Sequence, residues 1–370
     1  MPKVSMSSLN QSIDAAGMTD AGTVREHNED AFLVRNDLCL FMVADGAGGH
    51  NAGDIASKLA IKSIENFFEA TESVAKTRPE RDRFGLMTQA RRLAAAVQKA
   101  NADVMEISRS FEKRKGMGTT VVVAYLRPSW NRLYLAHVGD SRCYRVRGEH
   151  VEVLTHDHTI LNDVMEMRPD VGDDVLARLP RSVVTRALGM GERIRVDLRA
   201  FVLVPGDRYL LCSDGLYRDL PEDVLFETLR ITAEPEEVAQ RLIALGKKAG
   251  GGDNLTALVF DCVRLGKPSH DKQGADSSST RRKTASAPEI LLLGIESDVD
   301  IQPTGEVQIL PSDAYDAEVR QAVEDFVSPL RPDHAALPID LTKTSQCGAC
   351  GEQIPVGARF CPYCGAPRKT

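Results

Sequence analysis

Up to about residue 265 the apolar residues fall into short runs and helical stripes, and beyond that point polar sequence takes over. Runs at AFLV (31–34), LCLFMVA (38–44), TTVVVAYL (119–126), RLYLAHV (132–138), CYRVR (143–147) and HVEVL (150–154) predict strands. So do RVDLRAFVLV (195–204), RYLLCS (208–213) and NLTALVFDCV (254–263). Tight turns, such as the one at Gly148, separate many neighbouring runs. Those pairs must be antiparallel, because a parallel crossover needs about a dozen residues or more. Helical periodicity fits 53–70, where Ile55, Leu59, Ile61, Ile64, Phe67 and Phe68 form a stripe, and it also fits 85–110, 221–231 and 235–249. Helices grouped between sets of strands predict an α+β fold in which sheets are covered by helices, not alternating βα units.

Residues 15–265 therefore read as one unit. The stretch 266–288, GKPSHDKQGADSSSTRRKTASAP, is Ser-rich and poor in bulky apolar residues, as a linker is. Residues 289–332 carry the runs ILLLGI and VQIL and a helical stripe of Val319, Val323, Phe326 and Val327, stopped by Pro329. Nine acidic residues and one basic residue lie between Glu296 and Val327, which makes this an acidic segment with a docking element. A second linker, 333–345, leads to a cysteine cluster within 346–367.

Composition narrows the reading. At 370 residues the chain exceeds what one core usually supports, and its net charge of −7 argues against nucleic acid as the default partner. Hydrophobic content of 42% is that of a folded protein. The N-terminal MPKVSMSSLNQSID has no apolar core of a signal peptide, and no apolar run approaches the ~20 residues that cross a bilayer. The expectation is a cytoplasmic protein with reduced thiols and no membrane partner.

The candidate chemistry lies where apolar runs stop. FMVADG ends in Asp45 and Gly46, LAHVGD in Gly139 and Asp140, and LLCSDG in Asp214 and Gly215, while Asp253 precedes the run NLTALVF. Asp-Gly pairs also mark ordinary turns, but three at predicted strand ends and a fourth aspartate at a strand start form a pattern. Buried strands that bring carboxylates together need a cation, and all-oxygen ligands select Mg²⁺ or Mn²⁺. Ahead of the first predicted strand, Arg25 offers a bidentate grip for phosphate, and Glu29 adds an acidic group.

Eight motifs stand in order: REHNED (25–30), VADGAGGH (43–50), GTT (118–120), VGDSR (138–142), THDHT (155–159), TRALG (185–189), CSDGL (212–216) and GDNLT (252–256). Together they resemble the metal-dependent serine/threonine protein phosphatases of type 2C in their bacterial form, over residues 15–265. The resemblance implies an αββα sandwich of two antiparallel sheets flanked by helices, with a two-metal site at one edge. It implies that Asp45 bridges both Mg²⁺ or Mn²⁺ ions, that the Gly46 carbonyl binds the second, and that Asp214 and Asp253 complete the first. Glu29 would hold a metal-bound water, Arg25 the substrate phosphate, and Asp140 together with Asp214 a third ion. Two such ions about 3.5–4 Å apart activate a water for in-line attack on phosphorus. Residues 160–184 fall where the family carries a flap. Ala47 replaces the histidine that some members use as general acid, and His50 matches the bacterial pattern. His27, His156 and His158 read as structural or exposed. The partners implied are phosphoproteins and a Ser/Thr kinase pathway. The rival is a non-catalytic pseudophosphatase scaffold, which loss of the metal aspartates would favour; all four are present.

The cysteines divide. Cys212 and Arg218 satisfy a Cys-x5-Arg spacing, yet Cys212 lies in an apolar run with Asp214 beside it, a poor place for a thiolate nucleophile. Cys39, Cys143 and Cys262 read as buried small hydrophobes. Cys347-x2-Cys350-x10-Cys361-x2-Cys364 has the spacing of a zinc ribbon with one structural Zn²⁺, and docking to a protein is the expected role. In the linker, RRKTAS presents Thr284 and Ser286 to a basophilic kinase.

Overall fold

The computed structural model describes residues 13–48, 52–77, 87–167, 172, 176–180, 182–265, 340–346 and 353–356. Two antiparallel sheets form its centre. One runs β1 (Ile13–Asp20), β11 (Leu255–Cys262), β10 (Arg208–Cys212), β7 (Arg142–Arg147) and β8 (His150–Val153) in spatial order. The other runs β2 (Asp30–Arg35), β3 (Leu40–Ala47), β5 (Val121–Arg127), β6 (Arg132–Val138) and β9 (Asp197–Val202), with the short β4 (Gly118–Thr119) paired to β3. The helices are α1 (Ala52–Thr77), α2 (Thr88–Ser110), α3 (Ile160–Met167), α4 (Asp214–Asp219), α5 (Glu222–Leu229) and α6 (Pro235–Ala249).

The period-two alternation of the strands builds the layers. In β3, Phe41 and Val43 point into the space between the sheets, where they meet Leu211, Leu258 and Phe260. Phe41 and Phe260 stack there at 4.9 Å between ring centroids. The alternate residues Leu40 and Met42 face the other way, against Ile55, Leu59, Phe68 and Val97 of α1 and α2. On the far side, Leu210, Cys212 and Val259 pack under Leu216, Leu225, Val238 and Leu242 of α4 to α6. The result is four layers, helix–sheet–sheet–helix, and strands buried on both faces explain the unbroken apolar runs.

Each strand expected from the sequence is present, with one interruption. The run 119–126 breaks at Thr120, whose hydroxyl is engaged by Ser141 Oγ at 2.7 Å. Strand β1 had no signal, because IDAAGMTD lacks bulky residues and lies at a sheet edge. Helix α3 falls in the stretch assigned to a flap. A separate hairpin pairs β12 (Asp340–Gln346) with β13 (Gln353–Val356), so β12 occupies the second half of the expected linker 333–345. That segment is polar, DLTKTSQ, and carries no apolar signature of a strand. Cys347, Cys350, Cys361, Cys364, Thr284, Ser286, His50 and the acidic segment lie outside the described residues. Among the described residues no helix is long and apolar enough to cross a membrane.

Candidate active site

Strand ends from both sheets converge on one cleft of about 630 Å³, lined by Arg25, Glu29, Asp45, Gly46, Asp140, Asp214 and Asp253 among others. Every catalytic-domain residue singled out from the sequence as a metal or phosphate contact is thus at one place. Asp45 and Gly46 close β3, Asp140 follows β6 after one glycine, Asp214 opens α4, and Asp253 precedes β11.

Hydrogen bonds fix these ends. The Asp45 carbonyl accepts from the Thr120 amide at 2.8 Å and the Thr119 hydroxyl at 2.8 Å, so the GTT segment clamps the end of β3. Gly46 is required by crowding: a Cβ there would stand 2.0 Å from the Gly53 carbonyl oxygen at the start of α1. Asn254 fastens the Arg25–Asp30 segment from the opposite sheet. Its Oδ1 accepts from the Glu29 amide at 2.8 Å, and its Nδ2 donates to the His27 carbonyl at 3.0 Å. The Glu29 carboxylate receives the Gly53 and Asp54 amides at the N-terminus of α1; desolvation nonetheless raises its pKa.

The electrostatics are those of crowded, desolvated carboxylates. Desolvation first, and then the charges of Asp30 and Asp214, hold the Asp45 carboxyl well above the usual range. Asp214 is close enough to add to that rise, and a cation between two such carboxylates would relieve it. Asp140 is raised to about 7 by desolvation and by the charge of Asp214, with Arg218 opposing. Asp30 is likewise raised to about 7, chiefly by burial. One of its oxygens accepts from Ser213 Oγ at 2.7 Å and Thr256 Oγ1 at 2.6 Å, while Oδ1 is buried with no partner. A crowded all-oxygen donor set with an orphaned carboxylate oxygen fits hard divalent ions.

Several residues escaped the sequence reading. Asp30 sat inside a polar run that offered no reason to bury it. Arg218, noted only for its spacing from Cys212, lines the cleft and pairs with both Asp140 and Asp214. His137, His158 and Asp197 form a buried cluster behind Asp140. His158 Nδ1 accepts the Gly139 amide at 3.0 Å, so its proton is on Nε2, which faces Asp197 Oδ2 at 3.3 Å. That tautomer makes the cluster a brace for the Asp140 loop. His158 is fully buried, His156 is partly exposed, and His27 lies exposed at the cleft wall. Ala47 also lines the cleft. Burial raises the Cys212 and Cys143 thiols far above the ordinary value and Cys262 to about 11, which rules out a thiolate nucleophile. Cys39 departs from expectation. It is half-buried, at a left-handed turn position with φ 51°, because the β2–β3 connection leaves one side open.

A family model described as Protein phosphatase 2C matches residues 22–245. The chain belongs to the protein phosphatase 2C family. A second model, described as a zinc-ribbon domain, matches residues 346–368. The chain is 31% identical over 246 residues to the serine/threonine phosphatase stp of Listeria monocytogenes, covering 66% of this chain and 93% of that protein. It is 34% identical to the serine/threonine protein phosphatase PstP of Mycobacterium tuberculosis over 67% of this chain and 45% of PstP. The crystal structure of PstP/Ppp superposes with a TM-score of 0.59 at 31% identity, covering 68% of this chain and 99% of that one. The PstP catalytic domain in complex with two manganese ions gives a TM-score of 0.56 at 32% identity, over 68% and 98%. The αββα sandwich of this chain is thus the fold of the protein phosphatase 2C family.

Proposed function

We propose that the cleft hydrolyses phosphoserine and phosphothreonine in proteins, in opposition to Ser/Thr kinases, with Mn²⁺ or Mg²⁺ held by Asp45, the Gly46 carbonyl, Asp214 and Asp253. The carrying observation is the convergence of these carboxylates, from both sheets, on one cleft in which desolvation and mutual repulsion leave Asp45 and Asp214 short of positive charge. Divalent ions in such a site lower the pKa of a water and neutralise phosphoryl oxygens.

The chain's own residues do the rest. Arg25 stands 55% exposed at the rim, with its Nε and Nη2 each 3.0 Å from the Asp253 carboxylate. A phosphate dianion matches the same forked donors, so substrate and Asp253 share one guanidinium. Glu29, anchored by the start of α1, faces the cleft as the acceptor that orients a water. Thr119 and Thr120 keep the Asp45 backbone from yielding when charge in the cleft changes. The four C-terminal cysteines, Cys347, Cys350, Cys361 and Cys364, hold one structural Zn²⁺ in a ribbon that docks a protein. The scaffold alternative has no support, since the acidic set is complete and assembled.

The test is turnover of a phosphothreonine peptide by the full-length chain with Mn²⁺. Activity is expected with the ion and none with excess chelator. Asp45→Ala and Asp214→Ala are each expected to abolish it while circular dichroism shows the fold intact; activity that survives either substitution would refute the assignment.

A further inference from the structure

The resemblance to bacterial members assigns a third ion to Asp140 and Asp214, and this chain already has a cation between those two carboxylates. Arg218 Nη2 lies 3.1 Å from Asp140 Oδ2, and its Nη1 lies 2.5 Å from Asp214 Oδ2. The acids are almost wholly buried, with side chains 2% and 10% exposed, whereas the arginine is 31% exposed and enters from the cleft side. Arg218 lies one turn along α4 from Asp214, so the helix itself delivers the guanidinium to the spot.

The approach is braced. Tyr217, the preceding residue, donates its hydroxyl to the Asp140 carbonyl at 3.0 Å. The Arg142 guanidinium lies 3.7 Å over the Tyr217 ring and forks onto Asp157. These contacts tie α4 to the loop after β6 through backbone as well as side chain, so the Arg218–Asp140 pair is held at both ends.

We infer that Arg218 is a built-in replacement for the third ion, and that this chain works as a two-ion phosphatase whose Asp140 is neutralised by an arginine. The inference rests on the two-ion reading of the cleft given above. A planar, permanently charged fork neutralises two carboxylates that a divalent ion would otherwise neutralise, and its charge and bulk keep a further cation out of the space between them. Asp45, Asp214 and Asp253 are left to the remaining ions, and Asp140 becomes a structural anchor for α4 in place of an exchangeable ligand site.

Equilibrium Mn²⁺ uptake by the full-length chain, first saturated with Zn²⁺ so that thiolates do not compete, decides the matter through the paramagnetic resonance of free Mn²⁺. The wild-type chain is expected to take up two ions, Arg218→Met three, and the double variant Arg218→Met/Asp140→Asn two again. Asp140→Asn alone is expected to leave the wild-type count unchanged. Three ions on the wild-type chain, no gain in Arg218→Met, or loss of an ion in Asp140→Asn alone would each overturn the inference. If Arg218→Met does not fold, the wild-type and Asp140→Asn counts still decide it. A wild-type chain that takes up no Mn²⁺ would instead overturn the two-ion reading beneath it.

Discussion

Two regions of the molecule bury charge and settle it in opposite ways. Between α1, α2 and the sheet, Arg92 is fully buried and each of its nitrogens has a partner. Nε donates to Thr71 Oγ1 at 2.9 Å, Nη2 to the Phe68 carbonyl at 2.7 Å and Glu72 at 3.0 Å, and Nη1 to the Tyr125 hydroxyl at 3.3 Å. The Phe68 ring lies 4.3 Å from its guanidinium carbon. In the cleft, Asp45, Asp140, Asp214 and Asp253 crowd together with Asp30 buried beside them, and among the described residues the cations that reach this acidic set are Arg25, on Asp253, and Arg218. Buried charge closed on itself holds a fold together; buried charge left open marks where something from outside must bind.

The contrast can be broken by experiment. The largest effect is expected from Asp45→Asn, which should cut turnover of a phosphopeptide by roughly 10³-fold or more, about 4 kcal/mol in the barrier. The same change should raise the melting temperature of the metal-free chain by about 2–4 °C, since it removes a repelled carboxylate. A fall in that temperature would mean that the acidic set is structural after all. Arg92→Met should do the reverse. It is expected to cost about 3–5 kcal/mol of stability in denaturant titrations, because the buried Thr71, Phe68 and Tyr125 oxygens lose a charged donor, while Mn²⁺ affinity of the folded fraction stays unchanged. Mn²⁺ at about 100 times its dissociation constant should add about 2.7 kcal/mol of stability to the wild-type chain and much less to Asp45→Asn, as thermal unfolding would register. The smallest effect belongs to Arg25→Ala at the exposed rim. Loss of about 1.5–3 kcal/mol of charge-assisted bonding should lower kcat/KM by roughly 10–100-fold in steady-state kinetics, with no change in melting temperature.

The same contrast explains what could be read from the sequence. Strands buried on both faces announce themselves as apolar runs, and a run that stops at Asp-Gly shows where a carboxylate leaves the core. Asp45, Asp140 and Asp214 were visible for that reason. Asp30 was not, because its burial depends on Ser213, just after β10, and Thr256 of β11, nearly two hundred residues or more away. In the sequence Arg218 stands out only by its spacing from Cys212, whereas its partner Asp140 lies 78 residues away and is brought near only by the register of β7 on β10. His158 offered no periodic signal, and only its bond to the Gly139 amide shows what it braces. Edge strand β1, with small and polar residues, left no pattern at all.

Asp30 also does something for the molecule as a mechanical object. Its backbone is paired with Asp45 in one sheet, while its side chain is gripped by Thr256 of the other and by Ser213, which follows that sheet's β10. The carboxylate is therefore a rivet through the sandwich, set beside the cleft. Amides of β3 and β11 near this end should exchange with solvent as one opening unit, so loosening the rivet lets both layers gape together.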